Sequence, residues 1–253
     1  GMATLAAAAG ALMSLGGREA RFPPTVMALT RAGNDVSPRR DACLSDAIGG
    51  ERPECTFGAP VAPTALLWGD SHGVEMAWAL GQAMRGRGEA LMQRTRGSCP
   101  PVIGYDVATD PGCRQFNEDV IARIERTPAI RQVYLAAFWV SDTYRRPGMV
   151  GWIDGTIARL QAAGKTVTLI GPVPAQPFNV PRRLAREAAM GAPGRTLGSS
   201  LADYRKASHW LTANFARWRG QGVRILDPAC ALATPGGTRI VAGGRPLYFD
   251  SHH

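Results

Sequence analysis

The stretch Leu66-Leu67-Trp68-Gly69-Asp70-Ser71-His72-Gly73 decides our interpretation of the fold. Apolar residues lead into a Gly-Asp-Ser-His turn, and a helix-like pattern follows from Val74 to Met84. This pattern predicts a strand, a sharp turn and a helix. It puts Ser71 at the carboxyl end of a strand, where open α/β sheets bind ligands. It also puts Ser71 at a helix N-terminus, whose N–H groups can hold a developing oxyanion.

The turn has two interpretations, because Asp and Ser are also common helix caps. The far end of the chain favours catalysis, since Asp250 lies three residues before His253 and follows an apolar segment. A carboxylate at that spacing can hold the imidazole Nδ1–H, which leaves Nε2 to accept a proton from a serine hydroxyl. We therefore assign Ser71 as nucleophile, His253 as general base and Asp250 as the orienting carboxylate. His252 is the rival base, but the spacing favours His253.

The Gly69-Asp70-Ser71-His72 and Asp250-x-x-His253 blocks resemble those of the SGNH (GDSL-type) hydrolase superfamily. The chain is most similar to the SGNH domain at the C-terminus of bacterial membrane O-acyltransferases of the acyltransferase family 3 kind. Other features that fit this subgroup are the lead-in Gly17 to Pro24, the Cys99-Pro100-Pro101 turn and the segment Tyr134 to Trp139. The resemblance implies a flavodoxin-like, three-layer α/β/α sandwich with a parallel five-stranded sheet.

The resemblance also suggests the surroundings of Ser71. It implies that Gly97 supplies a second oxyanion donor beside the Ser71 N–H. SGNH enzymes commonly add an asparagine after the third strand, but residues 137–142 contain none. We therefore expect either that Trp139 and its neighbours shape the site differently or that another group is the third donor. His72 is expected to line the pocket or to pack behind it.

Alternation of short apolar segments with helical patterns predicts right-handed βαβ units and a parallel sheet. The predicted strands are 65–68, 90–93, 132–138, 166–170 and 223–226. The predicted helices are 74–87, 115–126, 151–163, a patch at 182–190, and 201–219. The proline-rich segment 172–200 interrupts this rhythm, and we interpret it either as a loop over the Ser71 edge or as a solvated excursion.

We divide the chain into three parts. Residues 1–16 are uncharged and Ala-rich but too short to span a bilayer, so we expect a linker or the end of an upstream membrane segment. Residues 17–64 form an irregular N-terminal arm with one short helix, packed on the domain. Residues 65–253 form the SGNH α/β domain, and we expect that its C-terminus is truncated, because the family continues beyond this histidine.

Four of the five cysteines form two local pairs around short loops. We interpret Cys43–Cys55 and Cys99–Cys113 as disulfides formed in an oxidising compartment, with Cys230 left over. The alternative is five reduced thiols in a cytosolic enzyme. No cysteine spacing matches a zinc site, and the sequence implies no metal or organic cofactor.

The formal net charge is +9, which suits acidic glycans, phospholipid surfaces or nucleic acid. No nucleic-acid motif is present, so we predict no nucleic-acid partner. A solvated arginine surface is the simpler explanation, although Arg182, Arg183 and Arg186 could meet an acidic substrate.

The resemblance implies Ser-dependent acyl transfer (O-acetylation) to a cell-surface or secreted glycan. The acyl donor would be delivered by a transmembrane acyltransferase region, and the domain would lie in the periplasm, tethered to the inner membrane. The alternatives are a free-standing carbohydrate or lipid esterase and a non-catalytic glycan-binding domain.

Overall fold

The structure is a computed structural model that describes Gly10, residues 22–46, Ile48 and residues 50–253. The predicted linker at 1–16 therefore lies outside the described residues except at Gly10. No helix in the described ranges is both long and apolar enough to cross a bilayer.

A seven-stranded, mainly parallel sheet forms the centre of the fold. The strands are β1 (Leu44–Ser45), β2 (Cys55–Gly58), β3 (Ala65–Gly69), β4 (Ala90–Arg96), β5 (Gln132–Ala136), β6 (Thr166–Ile170) and β7 (Arg224–Leu226). Their order is β1-β4-β3-β5-β6-β7, and β2 pairs with β4 as the one antiparallel strand of this sheet. β3 is therefore flanked on both sides by parallel partners, so the turn after it opens at the ligand-binding edge.

All five predicted strands are present, and the count of five was too low. The two additional strands, β1 and β2, come from the arm and pair with β4, so the arm is more regular than predicted. The third predicted strand ends at Ala136 and not at Phe138. The chain leaves the ladder there because the Phe138 N–H donates to the Asp70 carboxylate.

Nine α-helices are found among the described residues. They are α1 (Pro24–Arg31), α2 (Arg40–Cys43), α3 (Ser71–Arg85), α4 (Gly112–Glu125), α5 (Met149–Ala162), α6 (Val180–Ala189), α7 (Leu201–Thr212), α8 (Phe215–Gly220) and α9 (Ala229–Leu232). The predicted helix 201–219 is two helices. At the break, the Asn214 side chain donates to the Trp210 carbonyl oxygen, a local bond of the kind that competes with helix hydrogen bonds.

The central strands β3, β4 and β5 are buried on both faces, as the continuous apolar strands predict. Along β3, Leu66 and Trp68 contribute to one hydrophobic cluster, and Leu67 contributes to the other. The first cluster includes side chains from α4, α5, α7 and α8, and the second includes side chains from α3. This is the predicted three-layer α/β/α sandwich.

The described chain divides into two compact units. The larger comprises residues 36–175, 199–238 and 252–253, and it contains the whole sheet. The smaller comprises the chain up to Asp35 together with 176–198 and 239–251. In the smaller unit, α1 packs against α6, and β10 (Val241–Ala242) pairs with β11 (Arg245–Pro246). A further short hairpin, β8 (Ala233–Thr234) with β9 (Gly237–Thr238), belongs to the larger unit.

Both predicted disulfides are present. Cys43–Cys55 joins α2 to β2, and Cys99–Cys113 closes the loop between β4 and α4. Cys230 is exposed and belongs to neither disulfide.

Asn117, a fully buried residue of α4, ties that same loop to the central strand. Its Oδ1 accepts a hydrogen bond from Trp68 Nε1 at 2.8 Å. Its Nδ2 donates to the carbonyl oxygens of Pro100 at 2.9 Å and Val102 at 2.8 Å. One amide thus satisfies three buried backbone or side-chain groups.

We predict that Asn117→Ala lowers the free energy of unfolding by about 3 kcal/mol or more, since each orphaned buried group costs about 1–3 kcal/mol. Urea unfolding followed by fluorescence measures the change. Gln115→Ala, on the exposed side of the same helix, is the control and should change stability by less than about 0.5 kcal/mol. Equal effects of the two substitutions would contradict this role for Asn117.

Candidate active site

The turn between β3 and α3 places Asp70 and Ser71 in different roles. Asp70 is the N-cap, and its Oδ1 accepts the His72 N–H at 2.9 Å. Ser71 is the first helical residue, so its N–H precedes the intrahelical hydrogen bonds. The turn also requires glycine at position 69, where a Cβ would lie 2.2 Å from the Ala136 carbonyl oxygen. Capping and presentation of the serine are therefore both present, on neighbouring residues.

Ser71 and His253 meet although they are far apart in the sequence. Ser71 Oγ lies 2.9 Å from His253 Nε2, which is hydrogen-bonding distance. With the proton on Nδ1, Nε2 is an acceptor for the serine proton, as a nucleophile–base pair needs. Of the two histidines at the C-terminal end, His253 is thus the one that contacts the serine hydroxyl. The ring of His252 packs against Phe138 at 4.5 Å and against His253 at 4.4 Å.

Asp70 is a buried carboxylate with three hydrogen-bond donors around it. Besides the His72 N–H, its Oδ2 accepts the Phe138 N–H at 2.8 Å and the Tyr144 hydroxyl at 2.9 Å. Burial raises the pKa of Asp70 to about 6, and the three donors oppose that shift because they favour the ionised form. The carboxylate therefore links the start of α3 to the loop after β5.

His72 packs against His253, the residue that contacts Ser71. Its ring is buried, stacks on Phe138 at 4.6 Å and lies 4.4 Å from the ring of His253. The predicted role of His72 at the pocket stays a prediction. The stack limits the positions that the His253 ring can take beside Ser71.

Trp139 is a core residue, and its role in shaping the site stays a prediction. The side chain is fully buried in the hydrophobic core, and its Nε1–H donates to the Ile170 carbonyl oxygen at 2.9 Å. The backbone turns after Ala136, and this turn sends the indole between the sheet and the helices. Burial of this kind depends on where the strand ends, which the apolar run 134–139 did not reveal.

Gly97 is placed at the correct edge of the sheet but its donor is in use. The Gly97 N–H donates to the Ser45 carbonyl oxygen at 2.8 Å, which continues the ladder between β1 and β4. To stabilise an oxyanion it would have to give up this bond. The sequence could not show this, because β1 was not predicted as a strand.

Asp250 belongs to the smaller unit. Its backbone carbonyl oxygen accepts the Val180 N–H at 2.9 Å, and the next carbonyl, of Ser251, accepts the Gln176 N–H at 2.7 Å. These bonds hold the segment before His253 against the beginning of α6. The role of the Asp250 carboxylate as the orienting group stays a prediction from the spacing.

Two groups near Ser71 were missed by the sequence analysis. Tyr144 is a core tyrosine whose hydroxyl reaches Asp70, and nothing in the local sequence separates it from other tyrosines. Arg40 forms an ion pair with Glu75 at 2.6 Å, and the same nitrogen lies 3.5 Å from the Ser71 carbonyl oxygen. The one sequence feature that could have indicated a cation near Ser71 is Glu75, which lies one helical turn after it.

The raised pKa of Asp70 predicts a pH-dependent stability difference between wild type and Asp70→Asn. The folded state binds the Asp70 proton more tightly than the unfolded state, so wild type loses stability as pH rises from about 4 to 6. The variant lacks this loss. Its stability relative to wild type should therefore rise by about 2 kcal/mol between pH 4 and pH 7.

Urea unfolding of both proteins at several pH values measures this difference. In Tyr144→Phe the ionised Asp70 carboxylate loses a donor, which raises its folded-state pKa, so the loss of stability should continue to a higher pH. A stability difference between wild type and Asp70→Asn that is independent of pH, or that changes in the opposite direction, would refute the raised pKa of Asp70.

Comparison with solved structures supports the fold. The chain is similar to the periplasmic domain of a lipopolysaccharide acetyltransferase from Salmonella ser. Paratyphi A, with a TM-score of 0.63 and 18% sequence identity. The match covers 76% of this chain and 77% of that one. A Bacteroides fragilis protein assigned as an acylhydrolase matches with a TM-score of 0.43 and 11% identity, over 75% and 81% of the two chains. That second similarity is too low to support a structural conclusion.

None of the curated proteins matches the chain. The family model for the SGNH domain fused to AT3 domains, however, matches residues 40–253. This range includes β3, the Ser71 turn and His253, and it confirms the resemblance inferred from the sequence blocks. The chain therefore belongs to the family of SGNH domains that are fused to AT3 domains.

Proposed function

We propose that the chain transfers an acyl group, through Ser71, to a hydroxyl of a cell-surface or secreted glycan. The observation that carries this proposal is the 2.9 Å contact between Ser71 Oγ and His253 Nε2. A serine hydroxyl is a weak nucleophile at neutral pH unless a base lies beside it. The proposed base, His253, lies beside Ser71, which begins α3 at the ligand-binding edge of a parallel sheet.

The reaction has two halves. In the first, Ser71 Oγ attacks the carbonyl carbon of the acyl donor while His253 Nε2 takes the serine proton. The proton then passes to the leaving group, and the acyl group stays on Ser71 as an ester. In the second, His253 removes a proton from the acceptor hydroxyl, whose oxygen attacks the ester carbonyl. Collapse of this intermediate returns the proton to Ser71.

Each half develops negative charge on the carbonyl oxygen. The Ser71 N–H is the donor available to it, and the positive end of the α3 dipole adds to the stabilisation. The Phe138 N–H, the other backbone donor beside this turn, is bound to Asp70. An oxyanion site with few available N–H donors gives a smaller rate enhancement than a site with two or three.

Asp250 is proposed to orient His253 by accepting its Nδ1–H. The argument is the spacing of three residues between the carboxylate and the imidazole. The tautomer with Nδ1–H is the one in which Nε2 can act as the base.

Membership of the family supports the acceptor, the donor and the location that we propose. AT3 domains are the partners to which these SGNH domains are fused, so we infer that a transmembrane acyltransferase region delivers the acyl donor. The similar Salmonella structure is a periplasmic domain of a lipopolysaccharide acetyltransferase, which fits a glycan acceptor and a periplasmic location. The two disulfides fit an oxidising compartment.

Hydrolysis is the second candidate function. The same serine–histidine pair would pass the acyl group to water if no sugar hydroxyl occupied the acceptor position. The two functions share the acyl-enzyme and differ only in the molecule that attacks it.

Ser71→Ala should abolish hydrolysis of p-nitrophenyl acetate, with a loss of at least about 10³-fold in kcat/KM, because the nucleophile is absent. Ser141→Ala, a serine in the loop after β5, is the matched control and should retain activity. Intact-mass analysis of the quenched reactions should show one acetyl group on the wild-type protein and none on Ser71→Ala. Equal activity of wild type and Ser71→Ala would contradict Ser71 as the nucleophile, and absence of activity in both would favour a glycan-binding role.

Asp250→Asn should lower kcat by about 10³–10⁴-fold, because the amide favours the wrong imidazole tautomer. Asp142→Asn, a control in an exposed position, should leave kcat unchanged. The pair is compared with p-nitrophenyl acetate at a single pH. If Asp250→Asn retains wild-type kcat, Asp250 is not the orienting group.

Addition of an oligosaccharide to the p-nitrophenyl acetate reaction separates transfer from hydrolysis. Transfer predicts acetylated oligosaccharide in the mass spectrum, formed by wild type and not by Ser71→Ala. Release of acetate alone, at every oligosaccharide concentration, would favour the esterase.

A further inference from the structure

Three of the four histidines of the chain come together beside Ser71. One ring nitrogen from each of His72, His252 and His253 lies within 4.8 Å of the corresponding nitrogens of the other two. The fourth histidine, His209, lies on α7, remote in sequence from the cluster. We propose that this three-histidine cluster binds a divalent transition-metal ion such as Zn²⁺, and that the bound ion switches off the Ser71–His253 pair.

The ring positions are close to those that one metal ion requires. The ring centroids are 4.4 Å apart for His72 and His253, 4.4 Å for His252 and His253, and 5.5 Å for His72 and His252. Tetrahedral zinc with Zn–N bonds of about 2.0–2.1 Å places ligand nitrogens about 3.4 Å apart. Side-chain rotations that move the nitrogens by about 1 Å would therefore complete the site.

The three rings differ in how firmly they are held. His72 is 4% exposed and stacks on Phe138 with an interplanar angle of 11°. His252 and His253 are half-buried. The buried ring thus provides a fixed ligand, and the two more accessible rings can close on an ion that arrives from solvent.

The chemistry of the ligands selects the class of metal. Neutral imidazoles bind Zn²⁺, Cu²⁺ and Ni²⁺ well, whereas Mg²⁺ and Ca²⁺ require oxygen ligands. Three imidazoles leave a fourth tetrahedral position for water. The cluster therefore resembles neither a magnesium nor a calcium site.

Metal binding removes the base whichever nitrogen of His253 coordinates. A neutral imidazole has one nitrogen with a free lone pair, and the other nitrogen carries the proton. If Nε2 coordinates, its bond to Ser71 Oγ is lost. If Nδ1 coordinates, Nε2 carries the proton and can only donate. In both cases no lone pair is left to accept the serine proton, so acyl transfer stops.

Binding is measured first, independently of activity. Isothermal titration calorimetry with ZnCl₂ uses an untagged protein with the substitutions Ser71→Ala and Cys230→Ser. The second substitution removes the exposed Cys230 thiol, which could also bind zinc. One ion should bind per chain. His72→Gln and His252→Gln should each weaken binding by at least about tenfold. His209→Gln should leave it unchanged, and Mg²⁺ should give no signal.

Inhibition is measured second, and this part rests on the proposed function. ZnCl₂ should inhibit p-nitrophenyl acetate hydrolysis by the Cys230→Ser protein, with half-inhibition near the calorimetric Kd and full recovery in EDTA. In His252→Gln, half-inhibition, relative to that variant's own rate without metal, should require at least about tenfold more zinc. His252 is half-buried, so this variant also tests the site if His72→Gln fails to fold.

The outcomes separate the two proposals. Absence of stoichiometric zinc binding, or equal binding by His252→Gln and His209→Gln, refutes the metal site whether or not the protein is an esterase. Binding with unchanged or increased hydrolysis refutes the switch. A wild-type protein that neither hydrolyses p-nitrophenyl acetate nor acetylates the oligosaccharide refutes the proposed function, and the calorimetry still decides the metal site.

Discussion

The three hydrogen bonds to the buried Asp70 carboxylate organise the turn that carries Ser71. They cap α3, draw Phe138 out of the sheet and engage the Tyr144 hydroxyl. Burial of the carboxylate is unfavourable by itself, as its raised pKa shows. The buried carboxylate fixes the geometry of the turn, because Ser71, the next residue, is held in a defined position at the helix N-terminus.

The end of β5 before Phe138 has further consequences. Because Phe138 lies outside the strand, its ring packs against both His72 and His252. Those rings in turn contact His253, whose Nε2 reaches Ser71. The hydrogen bond from the Phe138 N–H to Asp70 is therefore connected, through these ring contacts, to the position of the His253 ring. The same packing explains why the three imidazoles are close enough together for the metal ion that we propose to bind all three.

Much of the fold could be predicted because it depends on local patterns. All five predicted strands are present, since continuous apolar runs between helical segments are typical of strands buried on both faces. The helix after Ser71 and both disulfides were also predicted from short-range features. The predictions failed where a distant partner intervened. β5 ends at Ala136 because of Asp70, and Gly97 is bonded to Ser45 in a strand that has only two residues.

The sequence by itself determined the α/β class and the family, and it predicted Ser71 as nucleophile and His253 as base, because the Gly-Asp-Ser-His and Asp-x-x-His blocks carry their chemistry in adjacent residues. Only the tertiary structure decided that His253 and not His252 contacts Ser71, that Trp139 is a core residue, and that Tyr144 serves Asp70. It alone brought His72 to the C-terminal histidines. The physical reason is that such contacts depend on strand ends and ring packing between segments far apart in sequence, which no local pattern encodes.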